Sequence, residues 1–307
     1  MERKGSPPSG CEASQMDIKK LGVWFFTEAM TAVQAAAFAQ QVEGWGYGAL
    51  WVPEARGRNS LVHSAWLLSQ TERLVIATGI ANIFARDAQA TVGARKALDE
   101  QSGGRFLLGL GVSHAPLVER LRGHNYNRPL AFMREYLGKM EQAVYDAVPP
   151  RQQGELVLAA LGPKMLELSR DMTDGAHPYN VTPEHTAEAR SILGPNKRLY
   201  VEQKVMLESD PAVARGAARE LLRMYIGLPN YRNNWLRLGF TDEEIDSSAD
   251  RFLDAMVAWG DEAAIAARIQ AHLDAGADHV CLQPVNAKDP GQPETNVLAA
   301  MARYFEL

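Results

Sequence analysis

The 307-residue chain is 46% hydrophobic and 22% charged, the profile of a globular protein and not of a disordered or fibrous one. Its 32 Lys and Arg against 37 Asp and Glu give a formal net charge of −5. No long basic run occurs, which argues against a nucleic-acid partner, and the apolar stretches fall short of a bilayer span, which argues against a membrane one.

Residues 1–19 are rich in Ser, Pro, Gly and charge and lack the apolar segment of a secretory signal, so they read as a disordered tail before a single domain over residues 20–307. Two cysteines, Cys11 and Cys281, stand outside any CxxC or Cys/His cluster. A disulfide framework and a metal site are not expected, and a cytoplasmic protein is the default.

Apolar runs predict strands at Leu21–Phe26, Ala49–Glu54, Leu74–Ile80, Phe106–Val112, Leu156–Gly162, Gly175–Val181, Arg198–Leu207 and His279–Val285. Between them fall helical stretches, at Thr31 to Gly44, Leu61 to Thr71, Asp87 to Gln101 and Leu130 to Val148. Pro163 suits the first turn of the next helix, and Thr182-Pro183-Glu184 reads as an N-cap, a first-turn proline and a first-turn acid. The strands are apolar throughout instead of alternating, as parallel strands covered on both faces are. Eight such units predict a closed (β/α)₈ TIM barrel, with a doubly wound open sheet as the competing architecture. One connection, Asp210 to Asp278, is too long for a simple crossover. It predicts a helical insertion at about residues 210–260, between the seventh and eighth strands, with helix from Val213 to Tyr225 and again through Trp259. Gly260 and Asp261 then read as a stop and a new N-cap. Insertions on this side of a barrel build substrate pockets or lids. Tyr225, Tyr231 and Trp235 therefore either line a substrate pocket or pack the insertion onto the barrel.

In a barrel of this kind chemistry sits where the strands end. Those ends are Glu54; Thr78, Gly79 and Ile80; Gly111, Val112, Ser113 and His114; Gly162, Pro163, Lys164 and Met165; and Gly175, Ala176, His177 and Pro178. The recurring glycines suggest close backbone approach to a flat, phosphate-bearing cofactor. Gly162-Pro163-Lys164 opens a helix, a natural seat for an anion. Other motifs fail: Gly109 to His114 has His where a dinucleotide loop needs its third Gly, Ser113 is not framed as GxSxG, and no Walker loop is present. His63, His124 and His185 read as ordinary polar residues, and His272 and His279 lack metal-ligand spacing.

LGVWFF, ATGIANIFARDAQ, GGRFLLGLGVSH, LGPKMLELSRDMTDGAHPYNVTPEHT and GADHVCLQPV together resemble the bacterial luciferase-like superfamily, in particular its coenzyme-F420-dependent oxidoreductase branch. The resemblance runs from about Leu21 to Val285. It implies a TIM barrel with an insertion after the seventh strand, and a deazaflavin, or alternatively FMN, across the barrel mouth. It implies a non-proline cis peptide at Gly79–Ile80 behind the cofactor ring, with the turns at Gly111 to Ser113, Gly162 to Met165 and Gly175 to Pro178 carrying the ribityl chain and phosphate. His177 is the histidine candidate for phosphate contact, or else a hydrogen-bonded strand-end residue.

The implied reaction is hydride transfer between the deazaflavin C5 and an electrophilic C=C or C=O of a small organic substrate. The alternatives are an FMN-dependent luciferase-like monooxygenase and a non-catalytic deazaflavin-binding barrel. The sequence departs from the branch that oxidises glucose 6-phosphate: Pro53-Glu54 stands where that branch has Asp-His, and Ser113-His114 where it has Gly-Glu. Glu54 is a candidate proton donor or cofactor contact, or a partner of an arginine such as Arg56. His114 is a second candidate acid, or a loop residue. Trp24 covers the substrate or packs inside the barrel, and Glu28 serves a helix dipole. A homodimer is a family habit that no stripe of this sequence demonstrates.

Overall fold

The computed structural model describes residues 18–289 and 291–307. The predicted tail therefore lies outside the described residues, except for Ile18 and Lys19. Both belong to the barrel: Ile18 is buried, and the Lys19 ammonium donates to Gly46 O at 2.8 Å.

Ten strands form one sheet: β1 (Leu21–Trp24), β2 (Ala49–Val52), β3 (Val75–Thr78), β4 (Ala81–Asn82), β5 (Phe106–Gly111), β6 (Leu156–Leu158), β7 (Gly175–Ala176), β8 (Arg198–Leu207), β9 (Val257–Gly260) and β10 (His279–Pro284). Every pairing is parallel, and β10 pairs with both β1 and β8, closing the barrel. Parallel neighbours need crossovers, and helices supply them, so the architecture is the predicted (β/α)₈ barrel.

β3 and β4 are two halves of one stave. β3 pairs Ala77 with Leu107 of β5, and β4 pairs Ala81 with Leu110. The broken stave thus advances one residue more than its partner, a bulge centred on Gly79–Ile80, whose peptide bond is cis.

The insertion folds as helices Pro211–Ile226, Pro229–Arg237, Asp242–Asp246 and Asp250–Met256 around a core of its own, with Trp235 and Phe252 at the centre. The helix predicted to run through Trp259 stops at Met256, because Val257–Gly260 becomes β9. Lys204 of β8 has register partners on both sides, Gln283 of β10 and Val257 of β9. β9 therefore lies on the edge of β8 that lower down belongs to β7. β7 is only two residues long, and β9 takes up the backbone groups it leaves unpaired. The predicted cap at Asp261 is present, its Oδ1 accepting from Ala264 N at 2.8 Å. Thr182 occupies the N-cap position with no side-chain capping bond. Helix Leu130 to Val148 shortens to Pro129–Glu141, and a π-helix at Pro116–Leu121 was not predicted.

Alternate side chains of the staves turn into the barrel. Trp24, Trp51, Val75, Ala77, Leu107, Val157, Tyr200 and Cys281 fill it. His177 stacks on Trp51 at 4.3 Å, and the Trp51 indole N–H donates to His279 Nε2 at 3.1 Å. Among the described residues no helix is long and apolar enough to cross a membrane, and no group of three or more His, Cys, Asp or Glu could hold a metal ion.

Candidate active site

The strand-end glycines were read as making room for a ligand. A Cβ placed on each shows what the room contains. At Gly79 it would lie 2.6 Å from Trp24 Nε1, at Gly111 2.5 Å from Ile80 Cδ1, and at Gly175 2.0 Å from Arg198 O. These three accommodate the barrel's own atoms, and the flat group against Gly79 is the Trp24 indole, which donates to Gly79 O at 3.1 Å. Only at Gly162 would a Cβ meet no close atom, the nearest being Arg237 Nη1 at an ordinary contact distance of 3.7 Å.

Gly162 is the N-cap of helix Pro163–Met172, with Pro163 in its first turn. Pro163 has no N–H and Met165 N donates to Gly162 O at 3.1 Å, which leaves Lys164 N at this helix N-terminus to favour an anion. Arg237 is held beside it, donating to Leu161 O at 3.0 Å and Asn234 Oδ1 at 2.7 Å and pairing with Glu188 at 3.4 Å. Lys164 is exposed and Met165 half-buried. Next to this turn the Ile80 side chain and the Ala159 methyl both lie against Gly111. Ile80, Ala159, Val112 and Ser113 are all half-buried. Ser113 is left-handed at φ 57°, its carbonyl accepting from the Tyr126 hydroxyl at 3.0 Å. Among the predicted strand-end residues, those from Ile80 through Val112 and Ser113 to Met165 are left partly exposed and so able to hold a ring and an anionic tail.

Other predicted cofactor contacts do not face it. Thr78 is buried, its hydroxyl donating to Gly109 O at 2.8 Å and accepting from Gly109 N at 2.9 Å. Gly175, Ala176, His177 and Pro178 are all buried, because this stave turns Gly175 and His177 into the barrel and Ala176 toward the helices. His177 Nδ1 donates to Tyr200 O at 2.8 Å, which leaves Nε2 without a proton. Burial drives its pKa down to about 4, so it carries neither the charge nor the exposed donor that a phosphate contact needs.

Glu54 is a clamp. Its carboxylate pairs with Arg86, not Arg56, and accepts from Asn82 N at 2.8 Å and Ser60 N at 3.3 Å. Both oxygens are taken by the protein's own donors, which removes it from the candidate acids. Trp24 is 2% exposed and packs against Phe26 and Tyr179, each at 4.9 Å, so its interior reading holds. Tyr225, Tyr231 and Trp235 are buried in the core of the insertion. Trp235 is sealed there, stacked on Tyr231 and donating to Asn180 O at 3.0 Å. Tyr231 also reaches the mouth, where its ring lies 5.5 Å from that of His114. His114 is half-buried, and its Nδ1 lies 3.2 Å from Asn230 Oδ1. Desolvation lowers its pKa against the opposing Asn230 hydrogen bond.

Sequence reasoning missed a buried polar cluster at the top of β8. The Lys204 ammonium bonds Asn180 Oδ1 and both Glu202 oxygens, at 3.1 and 3.2 Å, and sits 4.0 Å over the Tyr179 ring. The Tyr179 hydroxyl in turn donates to Gln283 Oε1 at 2.8 Å and meets the Tyr225 hydroxyl at 2.9 Å. The signal was available: Glu202 and Lys204 stand two apart in a strand otherwise buried, which places both on one face.

The family described as luciferase-like monooxygenase matches residues 18–279. The protein named "Putative coenzyme F420-dependent oxidoreductase Rv3520c", from Mycobacterium tuberculosis, is 26% identical over 250 residues, covering 68% of this chain and 71% of the relative. Among solved structures, the coenzyme F420 dependent tetrahydromethanopterin reductase of Methanopyrus kandleri superposes with a TM-score of 0.69 at 14% identity, covering 93% of this chain and 98% of that one. The FMN complex of the oxygenating constituent of 3,6-diketocamphane monooxygenase, from Pseudomonas putida, gives 0.71 at 12% identity, covering 93% and 97%. With the closed barrel, the insertion after its seventh stave and a family match spanning most of its length, this chain belongs to the luciferase-like monooxygenase family.

Proposed function

We propose that the protein is an oxidoreductase that uses coenzyme F420 to move a hydride to or from an electrophilic C=C or C=O carbon of a small organic molecule. The observation that carries this reading is the open turn at Gly162 to Met165. Of the glycines predicted to face a cofactor it alone has room for a further atom, and it presents a helix N-terminus and the Glu188-paired Arg237 guanidinium to an anionic tail. The choice of deazaflavin over FMN is supported by the name of the Mycobacterium tuberculosis relative.

When bound, the reduced deazaflavin supplies hydride from C5. The chain's own part is alignment and proton handling. Ile80, with Gly111 and Ala159, forms an apolar ledge for a ring. The helix N-terminus and Arg237 would hold the tail. His114 and Tyr231 border the substrate space. With Asn230 Oδ1 as acceptor, His114 Nδ1 keeps the proton and Nε2 is left to take one from an alcohol in the oxidising direction, returning it in reduction.

The test is separate titration of coenzyme F420 and FMN into the protein, followed by visible absorbance and thermal melting, since a ligand bound only by the native state raises the melting temperature. Coenzyme F420 should shift both signals. A response to FMN alone would move the protein to oxygen-using chemistry. With a substrate in hand, label at C5 should appear in the product, and tight binding without turnover would leave a cofactor-holding barrel.

A further inference from the structure

A second polar cavity, of about 320 Å³, opens at the outer edge of the mouth between the loop after β2 and the end of the π-helix. Arg56, Arg58, Arg86 and Arg122 line it, and Glu54 is the one carboxylate in its wall. None of the Gly162 to Met165 residues contributes.

Glu54 is already spent on Arg86 and on two backbone amides. Arg58 is tied to the carbonyls of Thr27, at 2.7 Å, and Met30, with Glu28 packed against neighbouring Gly57. Among the described residues, Arg86 and Arg122 each keep one donor without a partner. The Arg86 side chain is only 10% exposed, yet its Nη1 is buried without a hydrogen-bond partner, and so is Nε of Arg122. Arg56 stands exposed at the lip. Buried charged N–H groups left without acceptors are costly and uncommon in folded proteins. Here the two residues that carry such donors both line one cavity, in which cations outnumber anions. Planar guanidinium forks match carboxylate and phosphate oxygens.

We propose that this cavity is an oxyanion subsite, taking a carboxylate or phosphate group through Arg56, Arg86 and Arg122. Its volume is at the lower end for ligand pockets, which suits the charged end of a molecule and not a tricyclic ring. The subsite adjoins the ledge, since Glu54 N donates to Ile80 O at 3.2 Å. An anion held here therefore belongs to a molecule that also reaches the mouth: an acidic substrate, with the cofactor's tail at the Gly162 turn, or that tail itself, in place of the Gly162 assignment.

The probe is inorganic phosphate, titrated calorimetrically into the full chain at low ionic strength with no cofactor present, so the outcome does not depend on the coenzyme F420 reading. Saturable binding is expected. Arg56→Gln and Arg122→Gln should each weaken it tenfold or more, while Arg303→Gln, at a remote exposed site, should leave it unchanged. Arg56 is exposed, so its variant folds whatever Arg122→Gln does. Absence of saturable binding, or equal binding by wild type and both cavity variants, overturns the proposal. Repeating the titration on cofactor-loaded protein separates the two sources: competition assigns the subsite to the cofactor's tail, and simultaneous binding assigns it to an acidic substrate.

Discussion

Replacing Lys204 by Met should be among the most damaging single changes in the barrel. The ammonium is fully buried and Glu202 is 1% exposed. Burial pushes the Glu202 pKa up and the Lys204 pKa down, and each partner's charge opposes the shift of the other. Methionine fills a similar volume but leaves the carboxylate, among the described residues, with the one donor Asn180 N at 3.1 Å. Breaking a buried pair in this way costs about 3–5 kcal/mol, whereas replacing both members costs far less. Lys204→Met should therefore lose about 3–5 kcal/mol, and Glu202→Gln/Lys204→Met should recover at least half of it. The penalty has a pH sign. Unpaired and buried, Glu202 has a raised folded-state pKa, so the deficit is full at alkaline pH and shrinks as acid protonates it. Urea denaturation of wild type, both single variants and the double variant measures the cycle, with circular dichroism and tryptophan fluorescence checked for coincidence. Trp235 adds a local reporter, because its indole bonds Asn180 O beside the pair. A Lys204→Met cost below about 1 kcal/mol, or a double variant as unstable as the sum of the singles, would refute this account of the pair.

Gly162→Ala should leave the melting temperature unchanged, since the new methyl meets only Arg237 at 3.7 Å, but should raise the cofactor dissociation constant severalfold. Gly79→Ala should instead lose about 1–3 kcal/mol of stability by overpacking against Trp24; equal melting curves for the two variants would contradict the division between packed and open glycines. If His114 moves the proton, oxidation should be constant near neutrality and fall as acid titrates it, with a midpoint below the ordinary histidine value. His114→Phe should abolish that limb, and an unaltered pH profile would remove His114 from the reaction. His63, His177 and His279 are held neutral by burial with pKa values lowered to about 4. The unfolded chain binds protons there that the native one does not, so stability should fall as pH drops from about 6.5 toward 4, by roughly 3 kcal/mol per residue. Denaturation midpoints that stay level between pH 7 and 5 would contradict this.

The barrel was legible in the sequence because its staves are buried on both faces and so nearly unbroken in apolar character. The same property hid the site. In a strand such as Leu74–Ile80 both faces are apolar, so nothing local tells which residues point inward, and a glycine that admits an indole looks like one that admits a cofactor. Gly79 shares its direction with Val75 and Ala77, both in the barrel interior, and Gly175 shares its direction with His177. Gly162 lies beyond its stave, in a turn, where the direction of a side chain is not set by strand alternation. β9 was illegible for a different reason: Val257 pairs with Lys204, a partner far away in sequence, and no turn residue separates it from the helix ending at Met256. The charges of β8 held the missing reference. Opposite charges two apart in a buried strand share one face, and of the two faces only the barrel interior near its mouth could supply Asn180 and the Tyr179 ring as further partners. Fixing that direction for Glu202 and Lys204 fixes it for Tyr200 on the same strand, and the parallel register of β7 with β8 then carries it to Gly175 and His177, which places that histidine inside the barrel.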